Sequence, residues 1–189
     1  ILDAPVNEED RIATFQRYAI QLRAPSPLWS SLDGASFAAI GGASTGASGF
    51  QVPTDVPTVQ VPLTSINVAQ SLTYPGTWPE YPRIILYGPG TGYTVTNETT
   101  GEVLDFPTMA LTAGEYVVID LAYGAKSVTD DTGANVIDEL DSGSDLATWH
   151  LEAAPDAPGG VNTVRLTVDA DASDETGIKI EYTPRYVAL

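Results

Sequence analysis

The chain has 189 residues and no cysteine, and 25 acidic against 8 basic side chains give it a net charge of −17. This length allows a sizeable core, and the missing cysteines exclude disulfides and cysteine-bound metals. So acidic a surface disfavours nucleic acid and anionic membranes as partners.

The acidic residues are concentrated late in the chain. Residues 1–73 have a net charge of −3, and residues 74–189 have −14. We interpret this surface as one that keeps the protein soluble. No apolar run is long enough to cross a bilayer. The chain begins at Ile1, and ILDAPVNEED lacks the basic start and apolar centre of a signal peptide. We therefore expect that an earlier part of the protein is absent.

The first third of the chain predicts an arm, a strand and a linker. Residues 1–12 are polar without a clear period, and residues 15–23 alternate as in a strand that ends at the prolines of residues 24–27. Residues 30–49 are rich in Gly, Ala and Ser, which is typical of a flexible loop or linker. Residues 50–63 contain three prolines, so any strand there should lie at a sheet edge.

From residue 64 onward the pattern is one of short strands separated by tight turns. Residues 64–73 alternate, and we expect Ile66, Val68 and Leu72 to face inward. We expect hairpin turns at residues 99–101 and 113–114. Further strands are predicted at residues 83–87, 93–97, 102–106, 115–121, 126–129, 134–137, 148–151, 161–168 and 177–183.

The predicted fold class is all-β. Only residues 7–18 show a weak helical period, and β-branched and aromatic residues fill the runs between turns. A lone hairpin cannot bury its apolar face, so several strands at this spacing favour a β-sandwich.

Five motifs follow one another between residues 81 and 189. They are YPRIILYGPG, TVTNETTGEVLDF, ALTAGEYVVIDL, LDSGSD and IEYTPRYVAL. In this order they resemble the C-terminal domain of siphophage distal tail proteins, over roughly residues 81–189. The positions that match are Gly88-Pro89, Asn97 to Glu102, Gly114 to Asp120, Ser144-Asp145 and Tyr182 to Tyr186.

The resemblance implies an architecture and a role. The expected fold is a galectin-like, jelly-roll sandwich over residues 74–189. Residues 28–73 would be a linker with edge strands, and residues 1–27 the end of a ring-forming domain or an arm. Such proteins form a ring, usually of six copies, at the end of the tail tube, and they carry tail fibres or receptor-binding proteins. We therefore expect a structural virion protein at the phage tail tip, bound to its own copies and to tail tube and fibre proteins. We expect no contact with nucleic acid or membrane.

Two glycine-rich stretches could suggest catalysis or phosphate binding. Residues 42–46 fit G-x-S-x-G, the nucleophile elbow, with Ser44 as nucleophile and His150 as the only possible base. The elbow requires a following helix, which residues 47–53 cannot form. Residues 88–92 lack the Lys-Ser/Thr of a phosphate loop and are interpreted as a turn.

Acidic loops could suggest calcium binding or hydrolysis. The stretch from Asp169 through Asp171 to Asp174 has oxygen ligands at alternate positions at its start, as in a calcium loop, but the positions that require Gly and Glu are Asp174 and Ile180. We interpret this stretch as a solvated hairpin loop, and a loose surface calcium site stays open. The same alternatives hold for a second acidic loop, formed by Asp138, Asp141 and Asp145. No spacing singles out the facing carboxylates that glycoside hydrolysis needs.

An aromatic set could bind sugar. Trp149 and His150 with Trp78, Tyr81 and Tyr87 could stack on a glycan, although buried aromatics are the commoner case. We assign no catalytic, cofactor-binding or metal-binding residue and expect no enzyme activity. A carbohydrate-binding module that recognises host-surface glycan is the alternative function.

Overall fold

The computed structural model describes residues 28–31, 36–41 and 65–187 of the chain. The described residues are almost entirely strands and turns, with two single turns of 3-10 helix at Ile137–Glu139 and Pro158–Gly160. None of the helices in this part of the chain is long and apolar enough to span a membrane. The predicted all-β class is confirmed. The strands are β1 Leu28–Ser30, β2 Ser36–Gly41, β3 Ile66–Thr73, β4 Arg83–Tyr87, β5 Gly90–Asn97, β6 Glu102–Leu111, β7 Tyr116–Asp120, β8 Ser127–Asp130, β9 Val161–Ala170, β10 Gly177–Tyr182 and β11 Arg185–Val187.

The strands form a sandwich of two antiparallel sheets. One sheet has five strands in the order β2-β10-β4-β7-β8, and the other has four in the order β3-β9-β5-β6. A short third ladder joins β1 to β11. The core lies between the two large sheets, as expected for a β-sandwich.

Alternation along the central strands builds this core. Tyr93 and Val95 of β5 are fully buried, and so are Leu166 and Val168 opposite them on β9. Successive side chains of a strand point to opposite faces, so each strand supplies every second residue to the core. The other sheet contributes its own inward residues, which include Ile84, Leu86, Val117, Ile119, Ile178 and Ile180.

The turn at residues 99–101 is a hairpin, as predicted. The N–H of Gly101 donates to the carbonyl of Asn97 at 2.7 Å, and Gly101 has a φ of 81°. That φ lies in the left-handed region, which glycine adopts without a Cβ clash. β5 and β6 are therefore neighbours in one sheet.

Two connections predicted as hairpins cross between the sheets instead. The turn at residues 113–114 leads from β6 in the four-stranded sheet to β7 in the five-stranded one. The loop after β9 likewise leads to β10 in the opposite sheet. Local turn chemistry shows where the chain reverses, but the hydrophobic layers decide which sheet the next strand joins.

Most predicted strands are present, with ends shifted by a few residues, but two are wrong. At residues 134–137 only a single bridge joins Asn135 to Thr129. The carboxylate of Asp130 accepts the N–H groups of Thr132 and Ala134, at 2.9 and 2.8 Å, and holds a turn there. Residues 148–151 likewise form only a bridge, between Leu151 and Glu80.

The early strands lie at the sheet edges. β2 falls within residues 30–49, where a loop or linker was predicted, and pairs along its length with β10. β3 is confirmed with Ile66 and Leu72 buried, and Val68 lies opposite the buried Leu166 on the same inward face, although it is 40% exposed. The strand predicted at residues 15–23, the proline turn after it and residues 50–63 lie outside the described residues. The division of the chain at residues 27 and 73 stays a prediction.

Candidate functional site

The acidic loop around Asp141 and Asp145 covers the outer edge of β6. The N–H of Val103 donates to the Asp145 carboxylate, and its carbonyl accepts the N–H of Asp145, both at 2.8 Å. Asp105 is held in the same way, because its N–H donates to Ser144 Oγ and its carbonyl accepts the N–H of Asp141.

This loop therefore acts as an edge cap. The backbone groups of an outermost strand are otherwise free to pair with another chain. Asp145 is occupied by the edge, and Asp141 accepts the N–H of Gly143 within the loop at 2.7 Å. Asp138 is exposed in the turn of 3-10 helix. Nothing in the described chain forms a group of three or more acidic or histidine side chains able to hold a metal ion.

The other sequence candidates do not converge either. Ser44 lies outside the described residues. Asp169 lies in β9, whereas Asp171 and Asp174 lie in the loop that crosses to β10. Asp171 accepts a hydrogen bond from Thr91 Oγ1 at 3.2 Å. Pro89 forms part of the predicted turn, and its carbonyl accepts a hydrogen bond from the hydroxyl of Thr176.

The aromatic candidates separate into core and surface. Trp149 is fully buried, so the interpretation of this residue as core is confirmed. Tyr87 packs against Tyr116 with ring centroids 6.2 Å apart. Trp78 is 48% exposed beside β11. The ring of Tyr81 packs near that of His150, at 6.0 Å between ring centroids.

His150 is held between two glutamates. Its Nδ1 lies 3.0 Å from Oε2 of Glu102 and 2.8 Å from the carbonyl of Thr148, while Nε2 lies 3.0 Å from Oε2 of Glu152. Both ring nitrogens thus face acceptors, an arrangement that only the doubly protonated imidazolium satisfies. Burial acts to lower the pKa of His150, but hydrogen bonds to Glu152 and Thr148 and the charge of Glu102 outweigh it and raise the pKa.

Lys126 and two tyrosines border this cluster. The ammonium of Lys126 lies 4.5 Å from the ring centroid of Tyr81, a cation–π distance. Its nitrogen is buried and has no hydrogen-bond partner among the described residues. Burial lowers the pKa of Lys126, although the nearby charges of Glu102 and Asp120 act to raise it. Tyr123 is 83% exposed, with its ring 6.4 Å from that of Tyr81.

Two buried asparagines fasten the His150 segment to the sheet. Asn97 Nδ2 donates to the carbonyl of His150 at 2.8 Å and to Oδ1 of Asn162 at 3.3 Å. Asn162 accepts the N–H of Glu152 and donates to its carbonyl, at 2.8 and 2.9 Å. These amides replace the strand pairing that residues 148–151 lack.

A cleft of about 250 Å³ lies nearby and is lined by three carboxylates. Glu80 and Glu181 are in ion pairs, whereas Asp120 accepts the N–H of Ala122 at 2.9 Å. Glu80 is almost fully buried and lies 2.5 Å from the guanidinium of Arg185. Burial raises the pKa of Glu80, and the charge of Arg185 opposes the shift. Glu181 pairs with Lys179 and Arg83.

Glu102, Glu152 and Lys126 were not predicted from the sequence to be members of this cluster. The spacing of Glu152 could have indicated its place, because residues two apart in an extended segment share a face and Glu152 follows His150 by two residues. Glu102 and Lys126 are far from His150 in the sequence, and only the folded sheets bring them close. Comparison of the chain with family models, curated proteins and solved structures found no match in any of the three.

Proposed function

We propose that this chain is a structural protein of a siphophage-like tail tip, in which copies form a ring at the end of the tail tube and carry fibre or receptor-binding proteins. In this proposal the sandwich is galectin-like, no reaction is catalysed and the protein resides in the virion. The resemblance of the five motifs supports the role. Assembly would proceed by burial of surface between copies and neighbouring tail proteins.

The observation that carries the proposal is that residues of the five motifs make structural contacts within the sandwich. Asn97 is a buried amide that fastens the His150 segment. Ser144 and Asp145 cap the edge of β6. Tyr182 is buried and donates to the carbonyl of Thr73 at 3.2 Å. The residues that carry the resemblance therefore hold the architecture together, as expected where a family shares a scaffold rather than a reaction.

The ionisable clusters agree with this reading. His150 is paired with two glutamates, and Glu80 and Glu181 are paired with basic side chains. Groups in such pairs satisfy one another and stabilise a fold, whereas catalysis needs a group free to act on a substrate.

The test is immunoelectron microscopy of phage particles from the source, with antibody raised against residues 74–189. We expect label at the tail tip. Unlabelled particles together with free protein in the medium would contradict the proposal. Antibody that has been pre-absorbed with the purified chain serves as the control for specificity.

A carbohydrate-binding role remains the second candidate, and one observation favours it. Tyr81 and the exposed Tyr123 form an aromatic pair beside His150 and Lys126, a combination that could stack on a sugar and bond to its hydroxyls. A glycan array tests this role. Binding that is lost in Tyr123→Ala but kept in Tyr116→Ala, a tyrosine paired elsewhere, would support it.

A further inference from the structure

The outer edge of β3 carries backbone groups that no other described residue satisfies. The N–H of Tyr74 donates to the carbonyl of Gly160, on the β9 side. Hydrogen-bonding direction alternates along a strand, so the N–H and carbonyl groups of Asn67, Ala69 and Ser71 point away from β9. No hydrogen bond from the described part of the chain reaches these groups.

The edges on the opposite side of the sandwich are protected. The edge cap occupies Val103 and Asp105 of β6, and by the same alternation the next outward position is Pro107, which has no N–H. The carbonyl of Val128 on β8 accepts the N–H of Val136. The protein thus blocks pairing at β6 and β8, by means that natural sheets use against edge-to-edge association.

β3 has none of these protective features. Its sequence INVAQSLT contains no charge and no proline. Val68 and Gln70 belong to its inward set, yet both are exposed in the middle of the strand. A long, uncharged edge with an exposed apolar residue is a site for strand addition.

We propose that a second copy of this chain binds at β3 by adding its own β3 antiparallel to the first. Two chains of net charge −17 repel each other over most of their surfaces, so an uncharged edge is where they approach with least repulsion. A twofold axis makes the contact self-complementary and joins two four-stranded sheets into one. This inference rests on the proposed assembly role. In a ring that uses this contact, the chains are arranged as dimers.

The test uses sedimentation equilibrium of the full chain over a range of concentrations, with Ala69→Pro as the main variant. Proline there removes an outward N–H while leaving the β3–β9 ladder intact. We expect the wild type to dimerise and the variant to have a dissociation constant raised by about tenfold or more, since the contact is made twice across the axis.

A second variant guards against an effect on folding. Ala69→Glu places a charge on each side of the axis and should weaken association in the same way. Ala110→Glu is its matched control, because Ala110 is an exposed alanine of β6 on the opposite side. The control should associate like the wild type. Thermal melts establish that all variants are folded.

Two results would overturn the inference. One is that the wild-type chain stays monomeric, or that neither Ala69 variant changes the dissociation constant. The other is slow hydrogen exchange at Asn67, Ala69 and Ser71 in dilute monomer, which would mean that the chain covers this edge itself. Neither result bears on tail-tip labelling, and missing label with an intact β3 contact would refute only the proposed function.

Discussion

At the scale of single residues, His150 is the side chain whose state changes most readily near neutral pH. Its imidazolium joins Glu102 on β6 to Glu152 and so ties the segment after Trp149 to the four-stranded sheet. Tyr81 packs near the imidazole ring, and the ammonium of Lys126 lies over the ring of Tyr81. The two carboxylates compensate the imidazolium charge locally.

We predict that stability falls as pH rises through the folded-state pKa of His150. The pKa is raised above the ordinary value of 6.5 in the folded protein. The folded state therefore binds the proton more tightly, so the stabilisation is complete below about pH 6.5 and is lost as pH rises past the folded pKa. Urea unfolding measured between about pH 6 and about pH 9 checks this.

The control is His150→Gln, which keeps hydrogen-bonding capacity but cannot titrate. Its free energy of unfolding should change less over the same range, and the difference between variant and wild type isolates His150 from other groups. Equal pH dependence in the two proteins would contradict the prediction.

At the scale of elements, connections between strands act as structural parts in their own right. The loop of residues 138–145 closes the β6 edge, and the asparagine pair Asn97 and Asn162 anchors residues 150–152. Asp141 and Asp145 thus have a structural explanation, which a calcium-loop pattern alone could not supply.

We predict that Asp145→Ala opens the β6 edge. The change leaves the N–H of Val103 without its acceptor, at a cost of about 1–3 kcal/mol in the free energy of unfolding. Hydrogen exchange should accelerate at the Val103 amide. At amides of the inner strands β5 and β9, the exchange rate should change only as much as the change in the global free energy of unfolding accounts for.

The matched control is Asp138→Ala. Asp138 is an exposed acid of the same loop region, and removing it takes away the same charge without touching the edge. It should shift stability by less than about 0.5 kcal/mol. If the two variants lose the same stability, the loss is caused by the removed charge and not by the loss of the edge cap, and the prediction is wrong.

At the scale of the whole molecule, net charge and edge protection are distributed unevenly. Residues 74–189 carry a net charge of −14, and the β6 and β8 edges are covered by acidic or turn segments. β2 and β3 contact each other on the other side of the sandwich. Repulsion between two such molecules is therefore weakest where their charge is low.

We predict that added salt strengthens self-association through β3. Raising ionic strength from about 0.05 M to about 0.5 M shortens the screening length several-fold and weakens repulsion between two acidic chains. The dissociation constant from sedimentation should fall with salt. A constant that rises with salt would indicate that attractive ion pairs, and not an uncharged edge, hold the copies together.

The class of fold, the position of most strands and the hairpin at residues 99–101 are all predictable from the amino-acid pattern. These depend on local causes: period-two alternation, β-branched residues, and a glycine where φ must be positive. Trp149 was also placed correctly, because a large aromatic in a strand-rich chain is usually buried.

Only the tertiary structure decided which sheet each strand joins, and therefore which residues meet. The reversals near Gly114 and Asp171 look like hairpins in sequence but cross between layers. Val68 fits an inward pattern yet is exposed, because burial depends on what faces a strand and not on its own period. His150 meets Glu102 across 48 residues of sequence for the same reason: pairing between distant strands is set by how the two layers pack, and no local pattern encodes it.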